Sequence, residues 1–150
     1  MGVEIFSRAE KKRVLEELKP YGVEKLDYLL LQAGQRLRIF SGNLSKNELI
    51  TFFYTVRVDN LGLYFASLKE GFRLNIDALQ ILQSQIKGRI FEVTDDQAEQ
   101  WFRGESLEVL HTPFNPGDFV VLKNRNDLIG SGKFTGMKIL NFLPKERLAR

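Results

Sequence analysis

The 150-residue chain has no cysteine and a single histidine, His111. Without cysteine there are no disulfides, no thiolate zinc sites and no cysteine nucleophile. One histidine leaves no partner for a catalytic triad or a histidine-based metal centre. Long apolar runs are also missing. No stretch approaches the roughly 18 consecutive apolar residues of a membrane span, and the N-terminus lacks the charged-then-apolar pattern of a secretion signal. The chain therefore reads as cytoplasmic, with no membrane partner, no metal, no cofactor and no catalytic residue of the familiar kinds.

What is present is the mixture of a soluble globular protein, 43% hydrophobic and 27% charged, of a length for one ordinary domain or two small ones. A pI near 9.2 is compatible with a polyanionic partner, but a net charge of +3 carries weight only if the charges cluster. They do so at the C-terminal end. From Lys123 to Arg150 there are seven basic residues against two acidic, an excess of five.

In chain order, Ser7-Arg8-Ala9-Glu10 is a capping box. It predicts a helix to about Leu18, with Val14, Leu15 and Leu18 on one face and Pro20-Tyr21-Gly22 as its end. Leu26 to Leu31 and Arg36 to Phe40 predict strands joined around Ala33-Gly34, with Arg36 and Arg38 on one solvated face. Ser45-Lys46-Asn47-Glu48 is a second capping box, for a short helix over Leu49, Ile50, Phe52 and Phe53. A turn at Asp59-Asn60, a strand from Gly62 to Leu68, a turn at Lys69-Glu70-Gly71 and a strand over Phe72-Arg73-Leu74 follow. Asn75 then suits the N-cap of a helix running to about Gln85. Residues 1–85 thus predict an α+β unit with a mostly antiparallel sheet.

The hydrophobic pattern restarts around Ile86-Lys87-Gly88, which places the boundary of a second unit over 86–150. Arg89 to Val93 predicts a strand and Thr94-Asp95-Asp96-Gln97 a third capping box. The helix it starts points Ala98, Trp101 and Phe102 to the core and ends at Gly104, a left-handed C-cap. Leu107 to Leu110 is a further strand, and His111 at its end has no partner in view. After the Pro116-Gly117-Asp118 turn come Phe119 to Leu122, a polar turn over Asn124 to Asp127, and a strand interrupted by Gly130 and Gly132. Glycine inside a strand marks a bulge or a close backbone approach. This order is that of a small closed β-barrel. Most phenylalanines lie in periodic apolar runs and read as core rather than as stacking platforms.

Three stretches carry a resemblance: Glu99-Gln100-Trp101-Phe102-Arg103-Gly104-Glu105-Ser106-Leu107, Leu128-Ile129-Gly130-Ser131-Gly132-Lys133, and Leu140-Asn141-Phe142-Leu143-Pro144-Lys145. They resemble the PUA-like RNA-binding domain of the Nol/Nop/Sun family, which accompanies ribosomal-RNA cytosine-5 methyltransferases. The Gly-x-Gly-Lys strand and the Asn-x-x-Pro-Lys ending are the distinctive pieces. More weakly, Gly62-Leu63-Tyr64-Phe65 and Phe72-Arg73-Leu74-Asn75 are similar to the segment preceding this module in free-standing archaeal relatives. The resemblance implies an RNA-binding protein, for ribosomal RNA or tRNA, in ribosome biogenesis, rRNA processing or RNA modification. It also implies work beside an RNA methyltransferase or a ribosome-assembly protein.

Methylation by this chain does not follow. Cytosine-5 methylation needs a thiolate to add to the pyrimidine ring, and the glycine-rich strand-turn-helix of a nucleotide-like cofactor domain is absent. The expected RNA-binding strip is Lys123, Arg125, Lys133, Lys138, Lys145 and Arg147, with Asn141 as a hydrogen-bonding reader. Gly104, Gly130 and Gly132 are expected to let RNA approach the backbone. The competing account makes the barrel structural and the first unit a protein-interaction adaptor.

Overall fold

The computed structural model describes residues 3–40 and 62–148. The second capping box and the Asp59-Asn60 turn lie outside the described residues. The first sheet has five antiparallel strands in the order β1 (Val3–Ile5), β2 (Leu29–Ala33), β3 (Arg36–Phe40), β4 (Leu63–Ser67) and β5 (Arg73–Leu74). Helix α1 (Arg8–Leu18) begins at the expected box: Ser7 Oγ accepts from the Glu10 N–H, and the Glu10 carboxylate accepts from the Ser7 N–H. Its Val14 and Leu18 are buried with Leu37 and Ile39 of β3, while Arg36 and Arg38 take the other face of the sheet. Helix α2 (Ile76–Ile81) closes this core with Ala78 and Leu79.

Strand β2 starts at Leu29 rather than at Leu26 because a side chain replaces the ladder there. Gln85 accepts from the N–H groups of Glu24 and Lys25 and donates to the Lys25 carbonyl, at 2.9–3.1 Å. Val23 and Leu26 are thereby held in the core without being strand. Asn75 does cap α2 by backbone position, but its amide donates to the Tyr64 carbonyl at 3.2 Å instead of accepting from the helix.

The second sheet is mixed, in the order β6 (Ile90–Glu92), β8 (Phe119–Asn124), β9 (Asp127–Phe134), β10 (Lys138–Asn141) and β7 (Leu107–Glu108), with β6 parallel to β8. The expected closed barrel is instead an open sheet: among the described residues β6 and β7 are its two edges. The connection between them is helix α3 (Asp95–Phe102), whose Trp101 fills the concave face. One face of the sheet, with Val120, Leu122, Ile129, Phe134 and Ile139, packs on that tryptophan. The alternate residues turn the other way, and Val121 and Leu128 are buried in the core of the first sheet.

The two sheets meet through hydrogen bonds as well. Ser131 Oγ donates to the Leu74 carbonyl, Gln80 Nε2 to the Leu128 carbonyl at 2.9 Å, and Tyr21 Oη to the Phe119 carbonyl at 3.4 Å. Burial pushes the Tyr21 phenol above its ordinary value, against the opposing pull of Arg89, so it serves here as a donor. Where the chain passes from one unit to the next, the N–H groups of Lys87 and Gly88 both donate to the Tyr21 carbonyl, at 2.8 and 3.0 Å.

A β-carbon on Gly88 would stand 2.1 Å from the Pro20 carbonyl oxygen, so that join admits no side chain without moving backbone. Gly88→Ala is expected to destabilise the chain by about 1–3 kcal/mol, the usual scale of overpacking, read as a lower urea midpoint at unchanged slope.

Candidate nucleic-acid interface

The register of the β8–β9 hairpin decides where the expected basic strip goes. Lys133 lies opposite Phe119 at one end of β8, whereas Lys123 lies opposite Leu128 at the other. Four residues of strand separate Phe119 from Lys123, about 13 Å at the usual rise. Lys138, opposite Glu108 at the start of β10, is exposed and stands at the Lys133 end. The strip is therefore not continuous: Lys133 and Lys138 are together, and Lys123 and Arg125 are away from them.

Ion pairing separates the members further. Arg125, in the hairpin turn at a φ of 57°, donates to Asp95 through both Nε (3.1 Å) and Nη2 (2.6 Å). Arg147, beside Lys145 in the 3-10 turn Lys145–Arg147, donates to Asp77 of α2 at 2.7 Å. A guanidinium already bonded to a carboxylate has less to offer a phosphate. Lys123, Lys133, Lys138 and Lys145 form no ion pair among the described residues.

Asn141 is committed to the fold. Its Nδ2 donates to the carbonyls of Trp101 (2.7 Å) and Glu105 (2.9 Å), and its Oδ1 accepts from the Leu143 N–H (2.8 Å). Both amide hydrogens are used, so the side chain fastens the end of α3 to β10 instead of reading a base.

The strand glycines approach a neighbour, but the neighbour is Trp101. A β-carbon at Gly130 would lie 2.7 Å from the indole Nε1, and one at Gly132 would lie 2.9 Å from the indole Cη2 and 2.5 Å from the Leu140 carbonyl oxygen. The register skips at Ile129, so the bulge expected from glycine is there as well. Trp101 is wholly buried, and its Nε1–H donates to the Ile129 carbonyl at 3.2 Å. Gly104 follows α3 at a φ of 89°, where its own N–H and that of Glu105 donate back to the carbonyls of Trp101 and Gln100. That is the paired hydrogen bonding of a Schellman cap, which requires glycine's left-handed conformation. The Leu148 side chain lies over Gly104.

Residues that the sequence did not single out join Lys133 at its end of the sheet. The Arg73 guanidinium lies 4.7 Å from the centroid of Phe142, the Phe142 ring stands 6.5 Å from Phe119, and the Lys133 ammonium is 5.9 Å from Phe119. Arg73 comes from β5, Phe119 and Lys133 from β8 and β9, and Phe142 from the segment just after β10, so this chain of cations and rings crosses the junction. Alternation along Phe72-Arg73-Leu74 already puts Arg73 opposite the buried Leu74, but nothing local pairs it with Phe142. Beside it runs a cleft of about 570 Å³ whose walls include Arg13, Arg89, Glu16, Glu17 and Glu70.

Residues 89–149 match the family model described as the methyltransferase RsmF PUA domain. Residues 89–149 are thus similar to the PUA domain of that methyltransferase. Among full-length relatives, ribosomal RNA small subunit methyltransferase F of Shewanella pealeana is 28% identical over 143 residues, which cover 94% of this chain and 28% of the relative. The Escherichia coli O157:H7 and Vibrio cholerae enzymes of the same name are 30% and 29% identical over 92 residues, or 61% of this chain and 19% of theirs. The chain spans less than a third of the length of these relatives. Among the described residues no helix is long and apolar enough to cross a membrane.

Asn141→Ala would remove the side-chain donor to the Trp101 and Glu105 carbonyls and leave the Leu143 N–H without its acceptor. It is expected to lower stability by about 1–3 kcal/mol, the cost of unsatisfied partly buried groups, seen as a reduced midpoint in denaturant. The Asp95–Arg125 pair predicts an acid response. Hydrogen bonds from Arg125 and Asn124 hold the Asp95 carboxyl down at about 2, from an ordinary 3.8. Because the folded value is the lower one, the pair's contribution is complete above the ordinary value and is lost as pH falls towards 2. Asp95→Asn should flatten the fall in thermal midpoint between pH 4 and pH 2.

Proposed function

We propose that this protein binds RNA in the modification of ribosomal RNA and is itself non-catalytic. The observation that carries the reading is the match of residues 89–149 to the PUA domain of a ribosomal-RNA methyltransferase. The unpaired lysines Lys133, Lys138 and Lys145 agree with it, since phosphate contacts need cations that are not already neutralised. The missing cysteine supports the non-catalytic part, because the cytosine-5 reaction begins with a thiolate. Methyl transfer then belongs outside these 150 residues, whether in a partner, as in the free-standing archaeal type, or elsewhere in a longer chain. The RNA is ribosomal RNA in this reading, with tRNA as its competitor.

One observation favours protein binding as a second possibility, on the second sheet and not on the first unit to which the adaptor account assigned it. Leu110 and Met137 are 88% and 72% exposed on neighbouring segments, joined by the Val109 N–H to Met137 carbonyl bond of 2.9 Å at the β7 edge. An exposed apolar pair beside a sheet edge suits a protein surface. Binding of a methyltransferase or ribosome-assembly protein that is lost in Leu110→Ser but not in lysine variants would support it.

The test of the leading reading is a titration of small-subunit ribosomal RNA with the whole chain at several salt concentrations. Affinity is expected to fall linearly with salt on logarithmic axes. Replacing Lys133, Lys138 and Lys145 together by alanine should flatten that line by about 0.7 per lost single-strand contact while the fold survives. Unchanged affinity and slope would refute the RNA assignment to these lysines. Incubation with labelled S-adenosylmethionine and the same RNA should transfer no methyl group, and transfer above background would refute the non-catalytic assignment.

A further inference from the structure

We propose that the junction of the two sheets is a binding site for single-stranded RNA, in which one unpaired base stacks on the guanidinium plane of Arg73. The inference rests on the RNA-binding reading above and adds the place, the strandedness and the half of the chain outside the PUA-like domain.

Arg73 differs from the other paired arginines of this surface. Arg125 and Arg147 are bonded to carboxylates, whereas Arg73 has no ion pair and no side-chain hydrogen bond among the described residues. It is held instead by the face of Phe142, at 4.7 Å. A guanidinium laid against a ring keeps its plane fixed, and its five N–H donors point outward in that plane. In the proposed site, the face that Phe142 does not cover takes another π system. The residue is half-buried, so water competes less for those donors than at an open lysine.

The neighbours suit a strand of nucleotides better than an isolated anion. Phe142 is backed by Phe119, and Phe119 carries the Lys133 ammonium on its ring, so cation, ring, ring and cation alternate across the junction. Cations set among aromatic rings are the usual means of holding single strands without reading sequence. Phe119 itself is only 8% exposed, so it supports the platform and is not one. The cleft beside Phe119 sets three carboxylates, Glu16, Glu17 and Glu70, against two guanidiniums, Arg13 and Arg89, so it attracts a polyanion less than the lysine side does. The sugar-phosphate chain is thereby directed over Lys133 and the exposed Lys138. A duplex cannot use this arrangement, because its bases are stacked on one another and present no free face.

Gly71 keeps the first sheet close enough for the contact. It sits at a φ of 117°, and a β-carbon there would lie 3.0 Å from the Phe119 ring. The turn before Arg73 is consequently seated directly on β8.

The experiment measures fluorescence anisotropy of a labelled twelve-nucleotide RNA of mixed sequence, and of the same RNA annealed to its complement, with the full-length chain. The native protein should prefer the single strand. Arg73→Lys keeps the charge and removes the plane, so it should weaken single-strand binding about fivefold or more, the scale of one stacked base, with an unchanged salt slope. Phe142→Leu should do the same by freeing Arg73, and Lys12→Ala on the exposed face of α1 should bind as the native chain does. Each variant's thermal midpoint establishes its folding. If Phe142→Leu proves unstable, Arg73→Lys decides the matter alone, since it keeps the charge and removes only the guanidinium. Native binding that is undiminished in Arg73→Lys, or equal for duplex and single strand, overturns this site while leaving RNA binding intact. No binding of either RNA by the native protein at low salt overturns both.

Discussion

The second sheet is built around one close contact, the indole of Trp101 against a strand that has no side chains where it passes. Gly130 and Gly132 leave the room, and the indole N–H is satisfied by the Ile129 carbonyl. Asn141 then fastens the carbonyl of that same tryptophan to β10. A bulky buried tryptophan with its donor paired contributes both apolar burial and a fixed orientation. The Gly-x-Gly of one motif and the asparagine of another therefore serve a single arrangement: they position α3 over the open sheet. This explains why the distinctive residues of these motifs are architectural, while the lysines beside them, one half-buried and one exposed, form no ion pair among the described residues. Lys133 follows Gly132 directly, and Lys145 stands four residues beyond Asn141.

The same alternation that aims Val120 and Leu122 at Trp101 aims Phe119 and Val121 at the first sheet. Strand β8 is buried on both faces, and its run of four apolar residues is the consequence. The first sheet is thus packed on the second over a shared core, with Val121 and Leu128 on one side and Leu74, Leu79 and Leu82 on the other. The Gln80 and Ser131 hydrogen bonds fix the rotation between them. Only with that rotation fixed can Arg73 and Phe142, one from each sheet, meet reproducibly.

Much of the local structure was legible in the residues. Two capping boxes, at Ser7 and Thr94, start their helices as their spacing predicts, and Gly104 ends α3 in the left-handed conformation expected of it. Such signals act over three or four residues, so a sequence displays them whole. The misreadings share the opposite property. The openness of the second sheet, the register that parts Lys123 from Lys133, and the use of Gln85 in place of a ladder at Lys25 depend on residues far apart in the chain. Asn141 was misjudged for a related reason. An asparagine at the end of a strand looks like a free hydrogen-bonding group until its carbonyl partners, Trp101 on α3 and Glu105 beyond it, are known.

Charge in this chain is best counted after pairing, because pairing is what the composition hides. The C-terminal stretch is rich in cations, but two of its arginines are spent on Asp95 and Asp77. Those pairs are exposed, and their worth to stability is correspondingly modest. Their effect on the electrostatic surface is larger than their energy suggests. Each removes a positive site from one end of the hairpin or from the α2 side, and the lysines of that stretch left without an ion pair among the described residues are Lys123 at the hairpin-turn end, Lys133 and Lys138 at the other end of the sheet, and Lys145 beyond Phe142. Arg73, contributed by the other sheet, adds to the Lys133 end. A chain with a net charge of only +3 can in this way present a local field that attracts a polyanion, because cations without ion pairs gather at one end of a sheet while Arg103, Arg125 and Arg147 are paired to carboxylates.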